Sequence, residues 1–454
     1  MSILKKNRIF SYCTMVLCLG AFSSTTVAAN KVDFAGFATL AYSKTLTGQD
    51  DTEGEGKGKA GEYYGMSKDG DARQLSLLGL RGNVAFDDYR LTLTAQAVMY
   101  GNDDYKPKFD WIYADYELGA GWSIAAGRTR TPLFMYSAYQ DVSYAYTWLK
   151  PPFSVYGIPQ FKSVDGVKLR HQSMLGDWSS DMQIWYGTLS ERLTENGLDS
   201  DLELKDIAGV SWDIEHNWLR LHTAYMFANS RIDLSTNKDL AGMMAIFDGL
   251  EQFFASSPSI QSEVQDLRKQ LEWEGSNIHF GSLGLGMDFG YIFLNTEATY
   301  INVEETVAAP KTMQSYYLTL GTRPVKDWTF SLTLIRDRDR EHKSLKEDYA
   351  QVIDAQVLPV LNAETSSPDP DVQEAATNLL AGINGNNLDG DGFGTGVVDR
   401  LQRLDTKGLI ISTRWDFHRS ASAKLEYLAE ERRYGGSNKS YRPQGVRIGV
   451  DVVF

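Results

Sequence analysis

The sequence predicts an all-β fold: a transmembrane antiparallel barrel of sixteen strands, with short periplasmic turns and long external loops. Three observations support this prediction. The first residues of the sequence have the pattern of an export signal. Beyond that signal it has no run of about eighteen apolar residues that could form a membrane helix. Many segments of about ten residues alternate apolar with polar side chains, which gives each one a lipid face and a lumen face.

Residues 1–29 are predicted to be a secretory signal peptide. Cations precede an apolar stretch, and small residues ending at Ala29 precede the cleavage point. Both cysteines of the chain, Cys13 and Cys18, lie within this segment. The mature chain, predicted at 30–454, would therefore fold without disulfides in an exported compartment.

The chain is acidic, with 59 acidic and 45 basic residues and a formal net charge of −14. The signal carries three of the cations and no acid, so the mature chain is more acidic still. Such a balance argues against a nucleic-acid partner. A barrel of the predicted type would instead contact outer-membrane lipid and small hydrophilic solutes.

Sixteen segments alternate over a length that can cross a bilayer. In the third, Leu91, Leu93 and Ala95 share one face, while Thr92 and Thr94 share the other. The predicted strands are Val32–Leu46, Gln74–Phe86, Tyr89–Tyr100, Asp110–Leu118, Gly121–Arg130, Ser163–Gln172, Trp178–Leu189, Leu204–Ile214, Trp218–Phe227, Asn277–Asp288, Tyr291–Val303, Thr312–Thr322, Asp327–Asp337, Asp405–Asp416, Ser420–Arg432 and Gly445–Phe454.

The connections sort into two classes. Those after even-numbered strands are short, and those after odd-numbered strands are longer, with extremes at 230–276 and 338–404. This sorting is typical of a barrel threaded through an outer membrane. Both long loops contain apolar residues at helix spacing, including Phe247, Val264 and Ala376, so we predict that they are partly helical. We interpret these helices as folded caps on the barrel rim, with lids as the alternative.

The last strand ends on Phe454 and presents one apolar face, formed by Val446, Ile448, Val450, Val452 and Phe454. This tail resembles the assembly signal of Gram-negative outer-membrane porins. Sixteen strands with a long third external loop are similar to the same family. The resemblance implies a homotrimer and a passive channel for small hydrophilic solutes or ions. It leaves open a general-diffusion porin or a substrate-selective channel for anions or carbohydrates.

The third external loop, 131–162, is rich in aromatic residues and interrupted by prolines. By the resemblance it folds into the barrel and narrows it. Its tyrosines could stack on solutes or pack the loop against the wall. Asp141 is the one acid of the loop, which makes it the predicted charged member of the constriction. The predicted constriction residues of the loop and its entrance are Arg128, Arg130, Tyr136, Tyr139 and Asp141.

Strand alternation also predicts which charges line the lumen. If Val167 and Leu169 face lipid, Lys168 and Arg170 face inward, because charge is costly on the lipid face. A basic wall opposite a differently charged loop sets ion preference; the alternative is that these charges only solvate the lumen or pair with each other. The further predicted inward charges are Arg81, Arg90, Arg220, His222, Arg414, Lys424, Asp115, Glu117, Glu297, Glu426 and Asp451.

Asn387, Asp389 and Asp391 resemble the start of a calcium loop. Val398 stands where a bidentate Glu would complete it, so a plain Asx-Gly turn is the alternative. No other cofactor is predicted. No residue pattern indicates catalysis, and we predict that the chain is not an enzyme. An outer-membrane lipid hydrolase and a non-conducting adhesive or ligand-binding barrel are the alternatives to a channel.

Overall fold

The computed structural model describes residues 31–47, 66, 69–86, 90–157, 162–193, 200–233, 238–271, 274–304, 311–340, 343–385, 404–434 and 440–454. The predicted signal peptide and the possible calcium ligands Asn387, Asp389 and Asp391 lie outside these residues. The described chain forms one antiparallel sheet that closes on itself, because β1 pairs with both β2 and the last strand.

The strands run β1 Lys31–Thr47, β2 Leu77–Phe86, β3 Leu91–Tyr100, β4 Pro107–Gly119, β5 Trp122–Arg130, β6 Ser163–Leu175, β7 Trp178–Leu193, β8 Ser200–His216, β9 Leu219–Asp233, β10 Glu274–Asp288, β11 Ile292–Val303, β12 Thr312–Val325, β13 Trp328–Arg340, β14 Leu404–His418, β15 Ala421–Tyr434, β16 Ser440–Tyr441 and β17 Gln444–Val453. The two-residue β16 and β17 both pair with β15 and occupy one position in the ring. They are separated at Pro443, which has no N–H to donate to the sheet. The predicted barrel of sixteen strand positions is confirmed.

The two faces of the wall differ as the alternation predicts. Leu40, Leu283 and Ile448 are exposed on the outer face, whereas Thr39, Thr333 and Ser412 are buried on the inner face. The ends of the strands that meet at short turns carry exposed indoles, which form a belt of the kind found at a membrane interface. These indoles belong to Trp122, Trp218, Trp328 and Trp415. The barrel is therefore of the membrane-spanning type.

Several strands extend further on the external side than predicted, and β7, β8 and β9 extend by four or more residues. β7 continues to Leu193, β8 already begins at Ser200, and β9 continues to Asp233. Their pairing continues into these extensions. The backbone ladder does not need alternating apolar side chains, so the largely polar sequence of these extensions gave no strand signal, although Leu202 and Ala228 are buried there.

Both long loops are helical, as predicted. α1 is Phe153–Tyr156 in the third loop. The loop 230–276 contains α2 Lys238–Phe253 and α3 Pro258–Leu271. The loop 338–404 contains α4 Lys343–Val352, α5 Leu358–Glu364 and α6 Pro370–Gly385. No helix in the described ranges is long and apolar enough to span a bilayer.

The helices α2 to α6 pack against each other and form what we call the helical cap. The rings of Phe247 and Tyr349, one from each loop, have centroids 6.3 Å apart. Gln356 of the second loop donates a hydrogen bond to Glu263 of the first. The core of the cap is continuous with inner-wall side chains at the external ends of β8 to β11, namely Leu204, Met226, Phe280 and Ile301. The cap is therefore fixed to one side of the barrel mouth.

Gly209 of β8 allows a buried indole to lie flat on the inner wall. A Cβ at this position would come within 2.1 Å of the ring of Trp185, which is 1% exposed. We predict that Gly209→Ala lowers the free energy of unfolding by about 1–3 kcal/mol, because the buried indole has no room to shift. Urea unfolding of the refolded barrel measures this. Gly281→Ala is the control, since nothing lies within 4 Å of its Cβ position; equal stability of the two variants would contradict the prediction.

Candidate functional site

The third external loop leaves β5 and lies inside the barrel. We call this segment the crossing loop; its described residues are 131–157 and Lys162. Most of its large side chains are buried, including Leu133, Trp148 and Tyr156. The inner wall of β9 to β15 binds it at three groups of contacts.

The first group of contacts holds the start of the crossing loop. Glu297 of β11 accepts hydrogen bonds from the backbone N–H of Met135, at 2.9 Å, and from the hydroxyl of Tyr156. Arg220 of β9 donates to the carbonyl of Met135 at 2.9 Å and to the hydroxyl of Tyr139 at 2.7 Å. Glu297 and Arg220 therefore provide hydrogen-bond partners for both the backbone N–H and the backbone C=O of Met135.

The second group holds the tip of the crossing loop through Lys424 of β15. Its ammonium donates to the carbonyl of Ser143, and to the carbonyl of Trp148 at 2.6 Å. The same ammonium forms an ion pair of 3.0 Å with Asp451 of β17, and both side chains are almost fully buried. Thr39 of β1 donates to the other oxygen of Asp451 at 2.8 Å.

The third group completes the hold on the tip. Glu426 accepts the backbone N–H of Leu149 at 2.8 Å and is itself paired with Arg447 at 3.5 Å. Arg414 of β14 donates to the carbonyls of Tyr144, at 2.6 Å, and Tyr146, at 2.9 Å. The predicted lumen residues Arg220 and Arg414 are thus inward, and both bind the backbone of the loop.

The base of the crossing loop is a buried ion cluster around Arg130. Its guanidinium lies 2.9 Å from Asp110 and 3.0 Å from Asp141, and Lys162 lies 3.4 Å from Asp141. Burial alone would raise the pKa of Asp141, but the adjacent Lys162 and Arg130 lower it below its usual range. We expected Asp141 to present its charge to the constriction; instead it is buried at the base, and its charge is neutralised there.

The aromatic side chains of the crossing loop pack among themselves and on the wall. Tyr136 stacks on Tyr156 with centroids 6.1 Å apart, and burial raises its pKa. The indole N–H of Trp148 donates to Thr333 of β13 at 2.9 Å. Tyr136 therefore packs the loop against the wall, which was one of the two predicted roles. Tyr139 is only half-buried, and its hydroxyl is bound by Arg220.

Two of the predicted lumen cations lie elsewhere. Arg128 forms a two-pronged pair with Asp165 of β6, at 2.7 and 2.6 Å. Its cross-strand partner on β4 is Ile112, whose side chain is exposed on the outer face, so strand parity places Arg128 on that face as well. Arg90 lies in the turn before β3, where its guanidinium is 5.4 Å from the centroid of the Tyr116 ring.

The remaining predicted cations line the side of the lumen away from these anchors. Arg81 of β2 donates to Gln96 at 2.9 Å, and its guanidinium lies 4.2 Å from the centroid of the Trp111 ring. Lys168 of β6 donates to the carbonyl of Arg130 at 2.7 Å. Arg170, two residues further along β6, is paired with Asp181. All three cations keep partial solvent exposure.

The anchoring role of the far wall was missed from sequence. Alternation placed Glu297, Lys424 and Glu426 on the inner face but gave no partner for them. The only available signal was that opposite charges stand two residues apart on one strand face, at Lys424 and Glu426. Within the described ranges, no group of three His, Cys, Asp or Glu side chains is arranged to hold a metal ion.

No protein-family model and no curated protein matches the sequence. Solved structures do match. The outer membrane channel DcaP of Acinetobacter baumannii is 10% identical, with 96% of this chain and 100% of that chain covered and a TM-score of 0.53. OmpF of Salmonella typhi, solved with daunomycin, is 11% identical, with 94% and 98% covered and a TM-score of 0.52. At this identity the similarity shows the fold: the chain has the sixteen-stranded barrel of outer-membrane porins.

Removing the ammonium of Lys424 should loosen the tip of the crossing loop. We predict that Lys424→Met lowers the free energy of unfolding by about 3–5 kcal/mol, because Asp451 is left buried and uncompensated. The double variant Lys424→Met with Asp451→Asn should recover much of that loss. In both variants, the backbone amides of residues 143–149 should exchange hydrogen faster than in the wild-type protein. Native exchange rates there in either variant would contradict the anchoring role.

The stabilisation that Asp141 provides at the base of the crossing loop should persist at mildly acidic pH. The pKa of Asp141 is lowered in the folded state, so its stabilising effect is full above the ordinary carboxylate value of 3.8 and is lost only as pH falls further. We predict that Asp141→Asn destabilises the barrel by a constant amount between about pH 7 and pH 5, and that the difference shrinks below about pH 4. Urea unfolding across this pH range measures it. A difference that disappears already at pH 5 would contradict the cluster.

Proposed function

We propose that the protein is an outer-membrane channel through which small hydrophilic solutes diffuse passively. One observation carries the proposal: a loop crosses the lumen of a closed barrel and is held there by charged side chains of the opposite wall. A barrel of this strand number encloses an aqueous lumen rather than a packed core. A loop fixed across the lumen restricts the size of the solutes that pass, while both ends of the barrel stay open.

The asymmetry of the lumen supports a narrow pathway rather than a wide one. The crossing loop is anchored mainly on β9 to β15, and the helical cap packs on the external ends of β8 to β11. Solutes would therefore pass beside β2 to β7, where Arg81, Lys168 and Arg170 are partly exposed. The proposal assigns transport rather than catalysis to the lumen, because Arg220, Glu297, Arg414, Lys424 and Glu426 are used to hold the loop.

We include a homotrimer in the proposal. The ion pair of Arg128 and Asp165 lies on the outer face, six residues beyond the interfacial Trp122 along β5. A charged pair at this depth is costly against lipid. Small outward residues lie near it, including Ala95, Ala114 and Ala126. Contact with a second copy of the chain would remove the pair from lipid.

The proposal is tested in planar bilayers with the purified, folded protein. We expect discrete conductance steps, grouped in threes if the protein is a trimer. Deleting residues 143–149 should increase the step size, because these residues form the anchored tip of the crossing loop. Folded protein that leaves the bilayer silent would contradict the channel. Steps of unchanged size after the deletion would show that the loop does not restrict the pathway.

A further inference from the structure

We propose that the outer wall of β13 to β15 binds a phosphate-bearing lipid of the external leaflet, and that Arg336, Arg338 and Lys407 hold its phosphate. The inference concerns the face of the barrel that meets the membrane. It does not depend on the proposed channel function, which concerns the lumen.

The three cations lie at the external edge of the lipid-facing band. Leu332 and Leu334 are exposed on the outer face of β13, so strand parity places Arg336 and Arg338 on the same face. At about 3.3 Å per residue and a tilt of about 40°, these two arginines lie roughly 20 and 25 Å from the interfacial Trp328 along the membrane normal. Because the apolar band of such barrels is about 25 Å tall, both guanidinium groups are at the level of the external headgroups.

Between this level and the indole belt, the outer face is apolar. Leu334, Ile411 and Leu425 are exposed there. Tyr316 of β12, the cross-strand neighbour of Arg336, is exposed as well, and tyrosine is typical of a membrane interface. A lipid with its phosphate at Arg336 would lay an acyl chain on this surface, which a free anion could not use.

Positive charge exceeds negative charge on this part of the outer wall. Two adjacent cross-strand rows run from β13 through β14 to β15, and they contain Arg336, Lys407 and Glu431, then Arg338, Asp405 and Arg433. Among the described residues, the two rows thus hold four cations and two acids. The nearby acids Asp337, Asp339 and Glu430 belong to the opposite, inner face, together with Arg432.

The two acids do not satisfy all of these cations. Arg336 lies 2.7 Å from Asp405, and Lys407 lies 3.1 Å from Glu431. Glu431 is shared with two further arginines, at 3.0 and 3.9 Å. Arg338 is exposed and forms no ion pair within the described ranges. Arg336 and Lys407 are like charges at directly opposite positions, which destabilises a sheet, and a bound anion would offset this repulsion.

A phosphate group fits this arrangement. Guanidinium groups bind phosphate oxygens through two parallel N–H donors, and an adjacent ammonium adds a point charge. The wall also stays open to lipid in the proposed homotrimer. In the ring of sixteen strand positions, β13 and β14 lie across from β5 and β6, which carry the proposed contact between copies.

Native mass spectrometry of the folded protein in detergent tests the inference. The probe is dioleoylphosphatidic acid, and dioleoylphosphatidylcholine, whose phosphate charge is cancelled by choline, is the reference lipid. We expect phosphatidic acid to bind more tightly, and Arg338→Gln and Lys407→Gln each to weaken its binding about fivefold, the effect of one cation near a lipid surface. Lys205→Gln is the matched control, because Lys205 is an exposed lysine of β8 that lies 3.3 Å from Glu203.

Equal affinity of the wild-type protein for the two lipids would overturn the inference. So would a loss of binding in Arg338→Gln no larger than the loss in Lys205→Gln. Displacement of phosphatidic acid by millimolar inorganic phosphate would show that the wall binds a free anion and would overturn the lipid part. None of these measurements uses conductance, so a silent bilayer would overturn the proposed channel and leave the lipid site standing.

Discussion

A peptide backbone that crosses an enclosed lumen must find partners for its N–H and C=O groups, and this requirement shapes the molecule. The far wall supplies the partners from side chains rather than from strands. Carboxylates of Glu297 and Glu426 accept loop N–H groups, while Arg220, Arg414 and Lys424 donate to loop carbonyls. Each of these groups is also paired with another wall residue or a loop hydroxyl, so the loop and the wall form one network.

This network explains the division of the lumen. The loop brings its aromatic side chains to the far wall, where the helical cap continues the same apolar core toward the external mouth. The near side, along β2 to β7, keeps its partly exposed cations. The loop also uses its single acid at its own base, with Arg130 and Lys162.

The barrel could be predicted closely because alternation is imposed by lipid on one face and water on the other. The helices of the long loops could be predicted equally well, because their apolar residues recur at helical spacing. The functional site could be predicted only in part. Alternation gave the correct face for Arg81, Lys168, Arg220 and Arg414. It gave the wrong face for Arg128, whose outward charge is paired with Asp165. Asp141 was misread because its partners, Arg130 and Lys162, are brought to it only by the fold.

The crossing loop lies against the wall of β9 to β15, and a designed disulfide tests this placement most directly. A Cβ at Gly284 of β10 would lie 3.5 Å from the Cβ of Met135, a separation that a disulfide can bridge. In the double variant Met135→Cys with Gly284→Cys, we predict spontaneous crosslinking in the folded barrel, detected as a linked peptide by mass spectrometry. Two free thiols in the folded protein, both open to maleimide labelling, would contradict the account.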